Sequence, residues 1–424
     1  MPAPDSIRIP WGAWAEESDL ELPVPAGWRC DIAKLAGELP SDAGGAAPGP
    51  TLEEALDSPI EAPPLERLAR GCGSAAIAVE DITRPSAAGP AIEAILDRLD
   101  AAGIPPERVA VIVAIGAHAP LRLPELRAKL GERALASCEV VNHHPYEELV
   151  DLGRSRRGIP VRINRTFLER DLKIAVGSVM PHPYAGFGGG CKIVLPGLAG
   201  IETLEMNHRP AVTGLSGAGV CVIEGNQARA EIEEIAIQAG LQAVVNIVPG
   251  SRRQPLGHFY GHPIKAHRAA VDFARRALRT EIIPRADAVL LNAYPKDGEL
   301  LQAGNAFNAY RASDSPLARE GGTVIIAAAC GAGVGHHSLH GPGMRLYRQP
   351  GPRPYLEGRG LIVFAPALST LDVRRSFWTG YPHARRWEEV LAYLEERHPR
   401  GGRMTVIPSA PLSIPAGAPG REEG

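Results

Sequence analysis

Short apolar runs recur along this chain. Most are followed by a polar or glycine-bearing loop and then by a stretch of helical spacing. SAAIAVED (74–81), RVAVIVAIGAH (108–118), CEVVNHH (138–144), LKIAVGSVM (172–180) and AVVNIVPG (243–250) come first. ADAVLLNA (286–293), GTVIIAAAC (322–330), GLIVFAPAL (360–368) and RMTVIPSA (403–410) come later. Runs this short and apolar read as strands buried on both faces. Helical spacing occupies 91–102, 123–136, 226–240, 262–279 and 384–398, and Gly103 suits a helix stop. Strands alternating with helices give mostly parallel sheets with right-handed crossovers, so the expected class is α/β.

A length of 424 residues is enough for more than one such unit. A hinge is expected at about 275–285, around Pro284. It separates an N-terminal α/β domain, 1–275, from a C-terminal α/β domain, 285–407. Residues 1–70 are rich in proline and acids, with a loop at 44–50. The tail from Ser409 is rich in proline and glycine, ends in REEG, and is expected to pack poorly.

Composition narrows the function. The net charge is −3 and aromatics are 5%, which argues against a nucleic-acid or anionic-membrane partner. No apolar run approaches ~20 residues, so no membrane span is expected. The first residues lack a basic segment followed by an apolar one, so no secretory leader is expected. The six cysteines form no C-x-x-C pair, which favours a reducing compartment and speaks against a zinc knuckle. The expectation is a soluble cytoplasmic protein.

In open α/β sheets, ligands bind beyond the carboxyl ends of the strands. Chemistry-bearing residues do follow the apolar runs here: Asp81 and Arg84; His118; His182 with a glycine loop; Tyr294, Lys296 and Asp297; then Gly331, Gly333, Gly335, His336 and His337. They come from both halves, so the site is expected in the cleft between the two domains.

The segment PHPYAGFGGGCKIVLPG (181–197) is the most informative. Gly186, Gly188, Gly189 and Gly190 free the backbone, and their N–H groups could form an anion nest beside Lys192. A tight turn with a surface lysine is the plain alternative. The nucleotide loop G-x-x-x-x-G-K-[ST] is not met, because Cys191 precedes Lys192 and Ile193 replaces the hydroxyl. A lysine in this setting can also be a covalent anchor. His118, His182 and His208, read as loop residues around this element, suit proton transfer or metal ligation. No H-E-x-x-H spacing points to a zinc hydrolase. His143, His144, His258, His262, His267, His383 and His398 read as surface or capping residues. In DITRPSAAG (81–89), Arg84 can fork onto an anion or close the loop against Asp81. Gln302 can contact a ligand or lie solvated on its helix.

Together these segments resemble the nickel-pincer lactate racemase family. The matching pieces are D-x-T-R (Asp81, Thr83, Arg84), G-x-H (Gly116, His118), the 181–197 block, N-H (Asn207, His208), Y-P-K-D (294–297) and Gln302. They run in family order over about residues 74–410. The resemblance implies two α/β domains with the active site between them and the tail, 408–424, returning to the first. It implies nickel held in a pyridinium-3-thioamide-5-thiocarboxylic acid mononucleotide tethered to Lys192. His208 would be the protein ligand to nickel, and His118 and His182 the acid/base pair on opposite faces of the substrate. Asp81, Arg84, Gly188, Gly189 and Gly190 would bind cofactor. Arg84, Gln302, Tyr294, Leu301 and Asn305 would bind substrate. The implied reaction is racemisation or epimerisation of a 2-hydroxy acid by reversible hydride transfer through a 2-keto acid. A sulfur transferase and a nickel insertase are the implied transient partners.

The chain departs from that pattern at charged positions. Ile82 stands where the family's lactate racemases carry a second arginine, and Ala119 where an arginine is common. Leu301 and Asn305 stand where they carry tyrosine and a carboxylate-binding lysine. These losses change carboxylate recognition, so the expected substrate is a 2-hydroxy acid other than lactate. Two other functions remain open on the sequence: a phosphate-binding transferase using the glycine loop and Lys192, and a non-catalytic carrier of the nickel nucleotide.

Overall fold

The computed structural model describes residues 6–12, 14, 17–213, 217–416 and 418. Two six-stranded sheets organise them. The first runs Pro255–Gly261, Ala243–Pro249, Leu172–Ser178, Ala75–Glu80, Val109–Ala114, Glu139–Asn142 across the sheet. All its neighbours are parallel except the Pro255–Gly261 edge, which returns antiparallel. The second runs His383–Ala384, Gly360–Phe364, Ala318–Ala327, Ala286–Asn292, Gly402–Ile407, Trp28–Ile32 and is parallel throughout. The α/β class and the dominance of parallel pairing are as the apolar runs imply.

Helices cover both faces of the sheets, so central strands such as Ala75–Glu80 and Val109–Ala114 are buried at every residue. Gly89–Ala101, Gln227–Gln238, Lys265–Ala277 and Trp387–Arg397 fall where the spacing places them. The helix expected over 123–136 is two, Leu123–Leu130 and Glu132–Ser137, because Gly131 between them takes φ +84°. That backbone is open to glycine and ends the first helix.

The start and end of the chain depart from the expected partition. Trp28–Ile32 pairs in parallel with Gly402–Ile407, in the second sheet and not with the rest of 1–275. Ahead of it Ser6–Trp11 and Ser18–Pro23 form an antiparallel hairpin, whose Ile7, Ile9 and Leu22 pack with Leu290, Ile325 and Val406. Sheet pairing at such separation has no local signature. At the other end, Ile414–Pro415 pairs with Arg279–Thr280, and Leu412 and Ile414 pack with Val179, Phe187 and Phe259 of the first unit. Residues 409–415 are buried, which corrects the expectation of a loose tail. The terminal REEG lies outside the described residues. The hairpin Leu149–Arg154/Pro160–Asn164 and the helix Ile201–Thr213 have no counterpart in the sequence reading. Among the described residues no helix is long and apolar enough to cross a membrane.

Candidate active site

The carboxyl ends of both sheets face one cavity of about 250 Å³. Asp81 and Arg84 reach it from the end of Ala75–Glu80, and His118 from the end of Val109–Ala114. The segment after Leu172–Ser178 supplies His182, Gly188, Gly189 and Lys192, and the helix Ile201–Thr213 supplies His208. From the second sheet come Lys296, Leu301, Gln302 and Asn305 after Ala286–Asn292, and His337 and His340 after Ala318–Ala327.

The turn after Ala75–Glu80 is fixed from beneath. Glu80 and Lys129 form a buried ion pair at 3.1 Å. The Lys129 ammonium also donates to the carbonyls of Arg84 (3.2 Å) and Ser86 (2.6 Å). This holds Asp81 where its Oδ2 accepts from His118 Nδ1 at 2.9 Å and its Oδ1 accepts from the Thr83 amide at 2.7 Å. Burial pushes the Asp81 carboxyl up, but its contacts with His118, the nearby Arg84 and the hydrogen bond from Thr83 outweigh it and hold it well below the usual range. A carboxylate can only accept, so it sets the proton of His118 on Nδ1 and leaves Nε2 as the base. That nitrogen accepts from Gln302 Nε2 at 3.4 Å.

His182 is oriented differently. Its Nδ1 accepts the amides of Tyr184 (3.2 Å) and Ala185 (3.1 Å), so its neutral ring carries hydrogen on Nε2, 3.1 Å from Lys192 Nζ. Burial, then the nearby Arg84 and Arg229, drive the Lys192 amine well below its ordinary range. Burial and Lys192 do the same to His182.

His208 sits on a helix rather than a loop. Its Nδ1 donates to the Leu204 carbonyl one turn back at 2.9 Å, and Tyr184 stacks on the ring. Burial first, then His340 and Lys192, push its pKa down to about 3. It is therefore a neutral imidazole with a free lone pair on Nε2. His340 and His337 crowd it, with ring centroids at 5.8 and 6.3 Å. Among the described residues no three His, Cys, Asp or Glu side chains come together as a metal cage.

The glycine loop is built for packing. A Cβ at Gly189 would fall 2.7 Å from Val179, and one at Gly190 would fall 2.8 Å from His267. The Gly188 amide donates to the Met180 carbonyl and the Gly190 amide to Asn246 Oδ1, both at 2.8 Å. Two donors of the expected anion nest are thus already used.

Most residues singled out in the sequence meet at this cavity: Asp81, Arg84, His118, His182, Gly188, Gly189, Lys192, His208, Leu301, Gln302 and Asn305 all line it. Two do not. Tyr294 turns away: its hydroxyl donates to Glu17 at 2.7 Å, and Arg253 lies over its ring. Gly190 lies behind the wall, against His267. His143 and His267 are buried rather than superficial. His143 bonds the Ala199 carbonyl, and His267 bonds that of Gly188. Lys296, His337 and His340 are cavity residues to which the sequence reading gave no role. Lys296 lay in the Y-P-K-D motif and His337 after an apolar run, whereas His340 carried no signal.

Comparison with known proteins places these features in a family context. The lactate racemase N-terminal domain family matches residues 17–218. A lactate racemase of Lactiplantibacillus plantarum is 32% identical over 338 residues, 79% of this chain and 76% of that protein. A lactate racemase of Thermoanaerobacterium thermosaccharolyticum is 30% identical over 343 residues, 79% of this chain and 77% of that protein. The lactate racemase apoprotein structure from T. thermosaccharolyticum superposes with a TM-score of 0.73 at 24% identity, covering 97% of this chain and 100% of that one. That likeness bears on the fold.

Proposed function

This chain belongs to the lactate racemase family, and on that premise we propose that it interconverts the epimers of a 2-hydroxy acid other than lactate, using a nickel-pincer nucleotide tethered to Lys192. The observation that carries the reading is the buried Lys192 amine, held well below its ordinary pKa range and 3.1 Å from His182 in the cavity that also holds His208. A neutral, dry amine is the form that can be acylated. An imidazole outside any three-donor cage among the described residues suits a metal that brings its other donors with it. The residues present thus fit the tethered group. When bound, that group supplies a reversible acceptor for the hydride on the substrate's C2.

The protein side chains supply the rest. His118, oriented by Asp81, takes or returns the hydroxyl proton at Nε2. His182 serves the other enantiomer, whose hydroxyl is presented to a different side, once the ring proton that here points at Lys192 has moved from Nε2 to Nδ1. Arg84 faces the carboxylate and holds the planar 2-keto acid while its other face is exposed. Leu301 and Asn305 are neutral where the family's lactate racemases carry tyrosine and lysine, which supports a substrate larger than lactate. A sulfur transferase and a nickel insertase would act on the system first, in the cytoplasm. The phosphate-transferase alternative is weakened because the loop amides of Gly188 and Gly190 have internal partners.

The test is to produce the protein together with the cofactor-building proteins, measure intact mass and nickel, and assay chiral 2-hydroxy acids from lactate to mandelate. A mass adduct on Lys192, nickel, and racemisation of an acid larger than lactate are expected. Lactate as the best substrate by a wide margin overturns the pocket argument. His118→Ala and His182→Ala should keep the adduct and lose turnover. An adduct without any turnover in the wild type would make the protein a carrier.

A further inference from the structure

We infer that Lys296 is the cationic anchor for the carboxylate of the substrate, a role that rests on the function proposed above. Lys296 follows the strand Ala286–Asn292 and is 4% exposed. Buried ammonium groups are retained where an anion pairs with them. The other buried amines near this site have their partners: Lys129 is paired with Glu80, and Lys192 abuts His182. Among the described residues Lys296 is in no ion pair, and its ammonium makes one hydrogen bond, a long one of 3.4 Å to Gln302 Oε1. Its amine therefore faces the cavity with capacity left over; burial and then Arg84 push its pKa well below the ordinary range, and a carboxylate bound beside it restores the proton.

The neighbours say what fills it. Gln302 bridges two groups: its Oε1 accepts from Lys296 and its Nε2 donates to His118 Nε2, each at 3.4 Å. An anion held on Lys296 is thus one carboxamide away from the base. A 2-hydroxy acid has its hydroxyl one carbon from its carboxylate. It has the length to meet Lys296 with one end and His118 with the other. Asn305 donates to the Gln302 carbonyl at 2.8 Å and to its Oε1 at 3.3 Å, fixing the bridge. Arg84 rises from the first sheet and Lys296 from the second, so a carboxylate between them is held by one cation from each. The cation missing at position 305 is in this way restored from position 296.

Lys296 and Gln302 also line a second cavity of about 330 Å³, bounded by Trp14, Ile82, Pro124 and Pro295. They form the wall between the two. A carboxylate on Lys296 leaves the substituent on C2 free to extend along the apolar wall formed there by Trp14, Ile82 and the two prolines.

The experiment uses the cofactor-loaded protein and its Lys296→Met and Lys296→Arg variants. Racemic lactate and racemic mandelate, at equilibrium and so without net turnover, are titrated by calorimetry, and KM and kcat are measured by chiral assay. Lys296→Met should weaken binding and raise KM by about 30-fold or more, with the loss in KM rather than kcat. Lys296→Arg should recover part of it. Unchanged adduct mass, nickel content and melting temperature show that the fold and tether are intact. Wild-type racemisation together with Kd and KM in Lys296→Met within about twofold of wild type overturns the Lys296 assignment while leaving the proposed function standing. Absence of racemisation by the wild type overturns the function, and calorimetry still reads Lys296: binding lost in Lys296→Met supports the anion site, and equal binding refutes it.

Discussion

Nε2 of His182 lies 3.1 Å from Nζ of Lys192, and two backbone amides occupy the other ring nitrogen of that histidine. The ring's proton must therefore point at the lysine. Two donors cannot share one contact, so the amine accepts. The backbone amides of Tyr184 and Ala185 thus set the ring tautomer that faces a lysine already held neutral by burial and by Arg84.

Lys192 should consequently react ahead of ordinary lysines. Its pKa lies well below 10.5, so more of it is unprotonated at pH 7.5 than of any surface lysine. Limited acetylation of cofactor-free protein, followed by peptide mapping, should find Lys192 modified early. Modification no faster than that of exposed Lys34 refutes the neutral amine. Lys192→Arg should block the cofactor adduct altogether.

Asp81→Asn should leave loading intact and cripple turnover. The amide can donate to His118 Nδ1, which would move the ring's proton to Nε2 and abolish the base. A kcat lowered by roughly 100-fold or more is expected, with nickel content unchanged. Full activity in this variant would show that His118 does not act through Asp81.

The Glu80–Lys129 pair should be structural. Lys129→Met leaves a buried carboxylate without its cation, at a cost of about 3–5 kcal/mol. Glu80→Gln combined with Lys129→Met should recover much of that loss, because neither partner is then charged. Urea unfolding of the two variants measures both numbers, and equal stability of the single variant and the wild type refutes the role.

His143 should impose an acid limit on stability. Burial holds it neutral and pushes its pKa from 6.5 down to about 4. Below pH 6.5 the unfolded chain takes a proton that the folded one refuses. Stability is therefore complete above that value and falls as the pH drops towards 4, by about 3 kcal/mol from this group. His143→Gln should flatten the difference between urea midpoints at pH 7 and pH 4.5. Parallel pH slopes for the two proteins would exclude it.

Much of this was legible in the order of residues. Every apolar run became a strand within a few residues of its expected ends, because burial on both faces admits little but apolar side chains. The block 181–197 announced its loop, since glycine alone tolerates the approach of His267 to Gly190. The sequence reading places His208 on a loop, whereas it sits on the helix Ile201–Thr213, which carries Pro210, a residue that ordinarily ends or kinks a helix.

The sequence by itself determined the α/β class, the lysine at 192 and the histidines at 118, 182 and 208, all of them consequences of local pattern or of a recognisable run of residues. Only the tertiary structure decided that residues 28–32 close the second sheet and that Lys296 rather than Tyr294 faces the cavity. The physical reason is the same in each case. Strand pairing across hundreds of residues, and which side of a turn meets a cleft, are fixed by what lies opposite in space. No neighbour in the chain carries that information.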